Sequence, residues 1–362
     1  MYSPPHVRSA TASLDRRQSF AASPRPGMTD AFGRRIDYLR LSLTDRCNLR
    51  CAYCLGAAAS FVPKCQLLTF EELDRLCAVF VRLGMRKLRL TGGEPLVRKG
   101  VETLIARLGE HVAAGRLEEL TLTTNGTRLA HHAAGLAAAG VRRVNVSLDT
   151  LDPAAFRAVT GQGDIGAVLE GIDAALAAGL AVKINAVAMR GITEPAIDGL
   201  IRWCGAKGLD LSLIELMPMG LGDDFTATRA LPLDELRRAI AGRWTLLASD
   251  YRTSGPARYV TIAETGQRLG FITPLSHGFC ATCNRLRVTA GGRLYTCLSQ
   301  SAGVHLAPLL RGGATDDTLD TAIRVAVTHK PARHCFSSQT TTGETATGQA
   351  TPPGRGMNVT GG

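Results

Sequence analysis

The sequence predicts an α/β fold: a partial barrel of six βα units followed by a smaller α+β domain. Three observations carry that expectation. Strand-like and helix-like stretches alternate from about residue 28 to 217, each strand-like run ends in glycine or polar residues, and beyond 217 the pattern turns to short strands with turns. Alternation of this kind implies a parallel sheet with right-handed crossovers. Six units suit an open, TIM-like partial barrel better than a closed ring of eight.

Taken in order, residues 1–27 alternate Ser, Pro and Arg without apolar periodicity and read as a disordered tail. Strand-like runs follow at 37–43, 87–91, 119–124, 142–148, 181–189 and 211–216. Between the first two, Thr69-Phe70-Glu71-Glu72 has the form of a capping box, with Thr69 as cap and Glu72 three residues on. The helix it opens carries Leu73, Leu76, Cys77, Phe80 and Val81 on one face and stops near Gly84. Helical patterns recur near 100–114, 129–139, 166–178 and 195–207. After the barrel segment 28–217, a second domain is expected over 218–336. In it, 220–228 reads as a loop and 231–240 as a helix from Pro232. Short strands at 257–263, 268–273, 287–290 and 293–296 would form a mostly antiparallel layer on the barrel's open side. Residues 337–362, rich in Ser, Thr and Gly, read as a flexible tail ending in Gly361-Gly362.

At 362 residues the chain can bury a large core. No apolar run reaches the roughly 18 residues of a membrane span, which excludes a membrane partner of that kind. The formal charge of +11 (42 Lys and Arg against 31 Asp and Glu) favours an anionic partner. Aromatics make up only 5% of the chain and none cluster among the arginines, which argues against a nucleic-acid-binding metal protein. Ten cysteines without a secretory segment point to a reducing compartment, the cytoplasm.

Chemistry concentrates in two cysteine sets. Cys47, Cys51 and Cys54 stand at C-x3-C-x2-C directly after the first strand. Thiolates this close suit a metal or an iron–sulfur cluster better than disulfides. Two readings fit the spacing: a structural zinc site borrowing a fourth ligand, or a four-iron cubane with one iron left open. Cys280, Cys283 and Cys297 form a second set of three, C-x2-C-x13-C, and Arg285 and Arg287 alternate beside it on one strand face. Two guanidiniums there suit a polyphosphate. Functional groups in such folds gather at the C-terminal ends of strands. Here those ends carry the cysteine loop, Gly92-Gly93-Glu94-Pro95, Thr123-Thr124-Asn125-Gly126, Ser147-Leu148-Asp149, Lys183 with Asn185, and Glu215 with Met217.

The C-x3-C-x2-C run with Tyr53 before its last cysteine, followed by Gly92-Gly93-Glu94-Pro95, resembles the radical S-adenosylmethionine (SAM) superfamily. With the second cysteine set, its Arg-x-Arg and the terminal Gly361-Gly362, the chain from Gly33 onward is similar to the GTP 3′,8-cyclase family of molybdenum cofactor biosynthesis. The resemblance implies two [4Fe-4S] clusters, on Cys47, Cys51 and Cys54 and on Cys280, Cys283 and Cys297. It implies SAM held by Tyr53, Gly93 (with Glu94 at the amino group), Ser147 and Met217. GTP would be held by Arg40, Arg89, Thr123, Lys183, Arg285, Leu286 and Arg287. A 5′-deoxyadenosyl radical would take the ribose 3′ hydrogen, and C3′ would bond to guanine C8. The implied partners are a reductant and the downstream cyclic pyranopterin monophosphate synthase, and a homodimer is compatible. Leu55-Gly56 stands where the family more usually has Met-Pro. Cys65, Cys77, Cys204 and Cys335 read as structural or incidental thiols. A peptide-modifying maturase with an auxiliary cluster is the alternative, disfavoured because it would lack an arginine set for a triphosphate.

Overall fold

The computed structural model describes residues 27–55, 61–219, 223–336 and 356–360. Most of the two expected tails, Gly361-Gly362 and residues 57–59 of the cysteine loop lie outside the described residues. A short antiparallel hairpin, β1 (Met28–Thr29) with β2 (Arg35–Ile36), opens the chain. Six parallel strands follow in spatial order: β3 (Tyr38–Ser42), β4 (Lys87–Thr91), β5 (Glu119–Thr124), β6 (Arg143–Ser147), β7 (Ala181–Ala188) and β8 (Asp210–Glu215). The crossover helices are α1 (Phe70–Arg82), α2 (Val101–Ala113), α3 (Leu129–Ala138), α4 (Pro153–Thr160), α5 (Ile165–Ala177) and α6 (Thr193–Ala206). This is the α/β partial barrel of the sequence reading.

The strands alternate by residue. Leu39, Leu41, Leu88, Leu90, Leu120, Leu122, Val144 and Val146 face the helices and join one core with Leu73, Leu76 and Phe80 of α1. The intervening positions (Arg40, Arg89, Thr121, Thr123 and Asn145) fall on the opposite, inner face. The Thr69 capping box forms as expected, with Glu72 N–H donating to Thr69 Oγ1 at 3.1 Å and Thr69 N–H to Glu72 Oε2 at 2.7 Å. Such a cap stabilises the helix start by about 1 kcal/mol.

The C-terminal half departs from expectation in its connections. It comprises α7 (Asp223–Arg229), α8 (Leu233–Ala241), β9 (Leu246–Ala248), β10 (Arg258–Ile262), β11 (Arg268–Ile272), β12 (Arg285–Val288), β13 (Arg293–Tyr295), β14 (Val304–His305), α9 (Ala307–Arg311) and α10 (Asp316–Thr328). A final turn, α11 (Met357–Thr360), follows. These strands do not form a separate layer. They extend the barrel sheet at both ends, in the order β14-β13-β12-β3 on one side and β8-β11-β10-β9 on the other, giving a sheet of 12 strands among the described residues. Both junctions, β12 with β3 and β11 with β8, are parallel. An open barrel leaves the main-chain donors and acceptors of its first and last strands unpaired, and these additions satisfy them. The stretch expected as a loop at 220–228 is partly the helix α7, and β12 begins two residues earlier than its sequence pattern suggested. No helix among the described residues is long and apolar enough to cross a membrane.

Candidate active site

The first cysteine set sits in the loop after β3, held against β4 and α4. Gly93 N–H donates to Thr44 O at 2.7 Å and Glu94 N–H to Arg46 O at 2.8 Å. A Cβ at Gly93 would stand 2.3 Å from Arg46 O and one at Gly92 2.4 Å from Thr44 O, so this approach requires glycine at both positions. From the other side, Arg50 N–H reaches Thr160 O and Ala52 N–H reaches Val159 O, both at 2.9 Å. Asn125 Nδ2 donates to Asn48 Oδ1 at 2.9 Å and lies 3.7 Å from Cys47 Sγ. Burial pushes all three thiols up, Cys54 to about 12, and for Cys51 the neighbouring Cys54 adds to the effect. Three soft donors in one loop suit a single ion with a fourth ligand from elsewhere or a multi-iron cluster.

Around this set stand the residues expected at SAM. Tyr53 lies near the Asp149 carboxyl and packs against Val159, Met189 and Leu216. Burial lifts the Asp149 carboxyl to about 6. Ser147 ends β6 and Met217 follows β8, both half-buried at the same end of the sheet. Glu94 ties two strand ends together. Its buried carboxylate accepts from Leu96 N at 3.0 Å, Thr124 Oγ1 at 2.9 Å and Asn125 N at 2.6 Å. It braces two strand ends and spends its acceptors there.

The inner face carries a row of cations. Register places Arg287 beside Arg40 and Arg40 beside Arg89, while Thr123, Asn145 and Lys183 form a second row across β5, β6 and β7. Burial, then Arg287 and Arg89, hold the Arg40 guanidinium well below its ordinary range. Burial and Arg285 bring Arg287 to about 10. Lys183 falls to about 7 through burial, with Arg89 and Arg143 adding repulsion, and its Nζ donates to Tyr259 Oη at 2.6 Å. Arg89 Nε, Thr123 Oγ1, Asn145 Oδ1 and Asn185 Oδ1 are buried without a hydrogen-bond partner among the described residues. Like charges beside unsatisfied polar atoms describe a cradle for a large polar anion. Leu286 does not share that face. Its side chain is in the hydrophobic core, which leaves only its main chain for a ligand.

Known proteins resemble this chain over most of its length. Residues 41–204 match the Radical SAM superfamily model and residues 209–336 match Molybdenum Cofactor Synthesis C. A GTP 3′,8-cyclase of Agrobacterium fabrum is 51% identical over 356 residues, covering 98% of this chain and 100% of the relative. One from Rhizobium meliloti is 55% identical over 309 residues, covering 85% and 88%. The chain belongs to the GTP 3′,8-cyclase family. Among solved structures, Streptococcus suis SuiB bound to S-adenosylmethionine superposes with a TM-score of 0.55 at 17% identity, covering 80% of this chain and 68% of that one. That likeness supports the radical SAM fold alone.

In this member of the cyclase family the second cysteine set lies at the end of β13 and in the turn before β12. Burial raises the Cys283 thiol, but Arg285 and Lys330 outweigh it and bring the thiol down to about 7. Three further residues contribute. Tyr259 reaches in from β10 to Lys183. Arg34, buried, donates to Cys280 O at 2.8 Å and Pro331 O at 2.7 Å. Asn358 brings its main-chain N–H to the Cys54 thiol and donates Nδ2 to Asp45 O at 3.0 Å. The tail, expected to be flexible throughout, is thus docked at 356–360, with Arg287 Nη1 3.4 Å from Thr360 O. Cys77 and Cys204 are buried in the core, and Cys65 and Cys335 are exposed.

Proposed function

We propose that the chain converts GTP to 3′,8-cyclo-7,8-dihydro-GTP, the first step of molybdenum cofactor biosynthesis. In this reading one [4Fe-4S] cluster is held by Cys47, Cys51 and Cys54 and a second by Cys280, Cys283 and Cys297. The observation that carries it is the cluster of cations on the barrel's inner face, the row Arg287, Arg40 and Arg89 with Lys183 in the row beside it, in a chain that also carries two three-cysteine sets. SAM at the first cluster supplies a hydrogen-abstracting 5′-deoxyadenosyl radical when bound. The protein's own part is positioning and charge. Arg40, Arg89, Arg285 and Arg287 neutralise the triphosphate, Lys183 regains its proton beside it, and Thr123 with the Leu286 main chain orients the nucleoside. Tyr53, Gly93, Ser147 and Met217 hold SAM at the strand ends. Enclosure by the barrel and its added strands keeps water from the reacting carbons. The product then passes to cyclic pyranopterin monophosphate synthase, and a one-electron donor serves the first cluster.

The test is anaerobic reconstitution, iron and sulfide analysis, and incubation with SAM, dithionite and either GTP or ATP. About eight irons per chain and 5′-deoxyadenosine released with GTP but not ATP are expected. Serine at Cys280, Cys283 and Cys297 should lower iron to about four and stop cyclisation. SAM cleavage indifferent to the nucleotide would remove GTP from this reading.

A further inference from the structure

Lys330 lies just past the last turn of α10, where a lysine ordinarily sits in solvent beside the helix carbonyls. Here it is 2% exposed. Its Nζ stands 3.5 Å from Cys283 Sγ, 3.0 Å from Arg285 O and 2.5 Å from Thr296 O. An ammonium has three donors, and all three are used. The acceptors belong to both arms of the second cysteine set: Cys283 itself, the peptide two residues beyond it, and the peptide just before Cys297. The residues after Lys330 are fixed in turn by Arg34, which donates to Pro331 O, to Ala332 O at 3.1 Å and to Cys280 O. Asp30 Oδ2 anchors Arg34 at 2.5 Å. One ammonium and one guanidinium therefore tie together all three cysteine segments.

A cross-link alone would not need a charge. Burying an ammonium costs several kcal/mol unless an anion compensates it, and two carbonyls carry no net charge. Burial lowers the Lys330 ammonium, and the groups that favour its charge are the sulfurs of Cys283, 3.5 Å from Nζ, and of Cys297, so thiolates there would supply the compensating anion. We propose that Lys330 is a positioning residue of the second cysteine set, which fixes Cys283 and Cys297 and, through its buried charge, raises the reduction potential of the cluster they hold. The proposal rests on the two-cluster reading above. A fixed cation favours the more negative, reduced cluster, because charge and hydrogen bonds at the sulfurs set cluster potentials.

The experiment is an EPR-monitored redox titration of the full chain, anaerobically reconstituted, as wild type, K330M, K330Q and K330R. The signal perturbed by SAM reports the first site and the signal perturbed by GTP the second. K330M and K330Q should make the second site at least tenfold harder to reduce, about 59 mV for one electron. K330R should stay near wild type, and the first site should not move in any of them. A wild-type midpoint in K330Q, or equal shifts at both sites, would overturn the proposal. If K330M cannot hold iron, retention by K330R with loss by K330Q supports the role of charge, and loss by both refutes it. Wild-type protein with about four irons would sink the second cluster and this role with it. About eight irons with unmoved K330M and K330Q midpoints would sink the role alone.

Discussion

Replacing Lys183 with methionine should stabilise the GTP-free protein at neutral pH while weakening its hold on GTP. Burial, then Arg89 and Arg143, take the ammonium from its ordinary 10.5 to about 7. That fall of about 3.5 pH units, at 1.36 kcal/mol each, is on the order of 5 kcal/mol of strain on the charged form. The sign follows from proton counting. Between about 7 and 10.5 the unfolded chain keeps the proton and the folded one has released it, so stability rises with pH through that window. Below about 7 the lysine is charged in both states and its full cost is present. Lys183→Met removes the cost and the slope, a loss of up to about 1.4 kcal/mol per pH unit. Anaerobic denaturant unfolding at pH 7, 8 and 9, followed by Trp203 and Trp244 fluorescence, measures both. A bound triphosphate restores the charge, so GTP binding at pH 8 without reductant should take up about one proton. Calorimetry in two buffers of different ionisation enthalpy reads that uptake. Equal pH slopes in parent and variant, with no proton uptake, would refute the reasoning.

Gly93→Ala drives a Cβ into the Arg46 carbonyl, one residue before Cys47. Overpacking of about 1–3 kcal/mol should lower the unfolding midpoint and strip iron from the first set while sparing the second. Glu94→Gln offers an NH2 where the carboxylate accepts three donors, a loss of about 1–3 kcal/mol visible in thermal melts. Burial lifts this carboxyl from 4.5 to about 7, so the parent's stability falls as pH rises through that window and the variant's should not. Deleting residues 357–362 removes Asn358 from Cys54 and Thr360 from Arg287. Maleimide should then label Cys54 faster in the iron-free chain, and GTP should bind about tenfold more weakly, the worth of one charged hydrogen bond. Thr69→Ala, at the α1 cap and away from both cysteine sets, should cost about 1 kcal/mol in denaturant unfolding and leave iron content and turnover unchanged.

The barrel strands were legible because their chemistry alternates. Leu39-Arg40-Leu41 and Leu88-Arg89-Leu90 announce one apolar and one charged face, and the pleat does the rest. The cysteine spacings and Gly92-Gly93 were legible for a related reason: each works within a few residues of sequence. The sheet extensions were not. That β12 would pair with β3, and β11 with β8, is a choice among distant strands with no local signature, and the turns around them suggested only a small antiparallel layer. The helix α4 had a usable signal in Asp152-Pro153, since Asp152 caps Ala155 N–H at 2.7 Å. A second helix in one crossover breaks the simple alternation, which masks that signal. Arg34, Lys330 and Asn358 could not be picked from dozens of similar polar residues, because their importance lies wholly in where tertiary contacts put them. For Glu94 the motif says which strand end it occupies, while Thr124 and Asn125 decide where its carboxylate points.

The two unforeseen junctions also explain why the cations meet. Arg285 and Arg287 reach the barrel interior only because β12 completes the open edge of β3 in a register that sets Leu286 beside Leu39 and Arg287 beside Arg40. A slip of one residue would turn both arginines toward the helices and Leu286 into the cradle. The apolar face enforces that register, since Leu286 and Val288 are fully buried in the common core. Core packing thus holds guanidiniums together against their mutual repulsion, a cost that an anionic substrate relieves on arrival. The strand that closes the fold's exposed edge thus delivers two of the five cations on the inner face, which ties edge protection to the proposed hold on substrate.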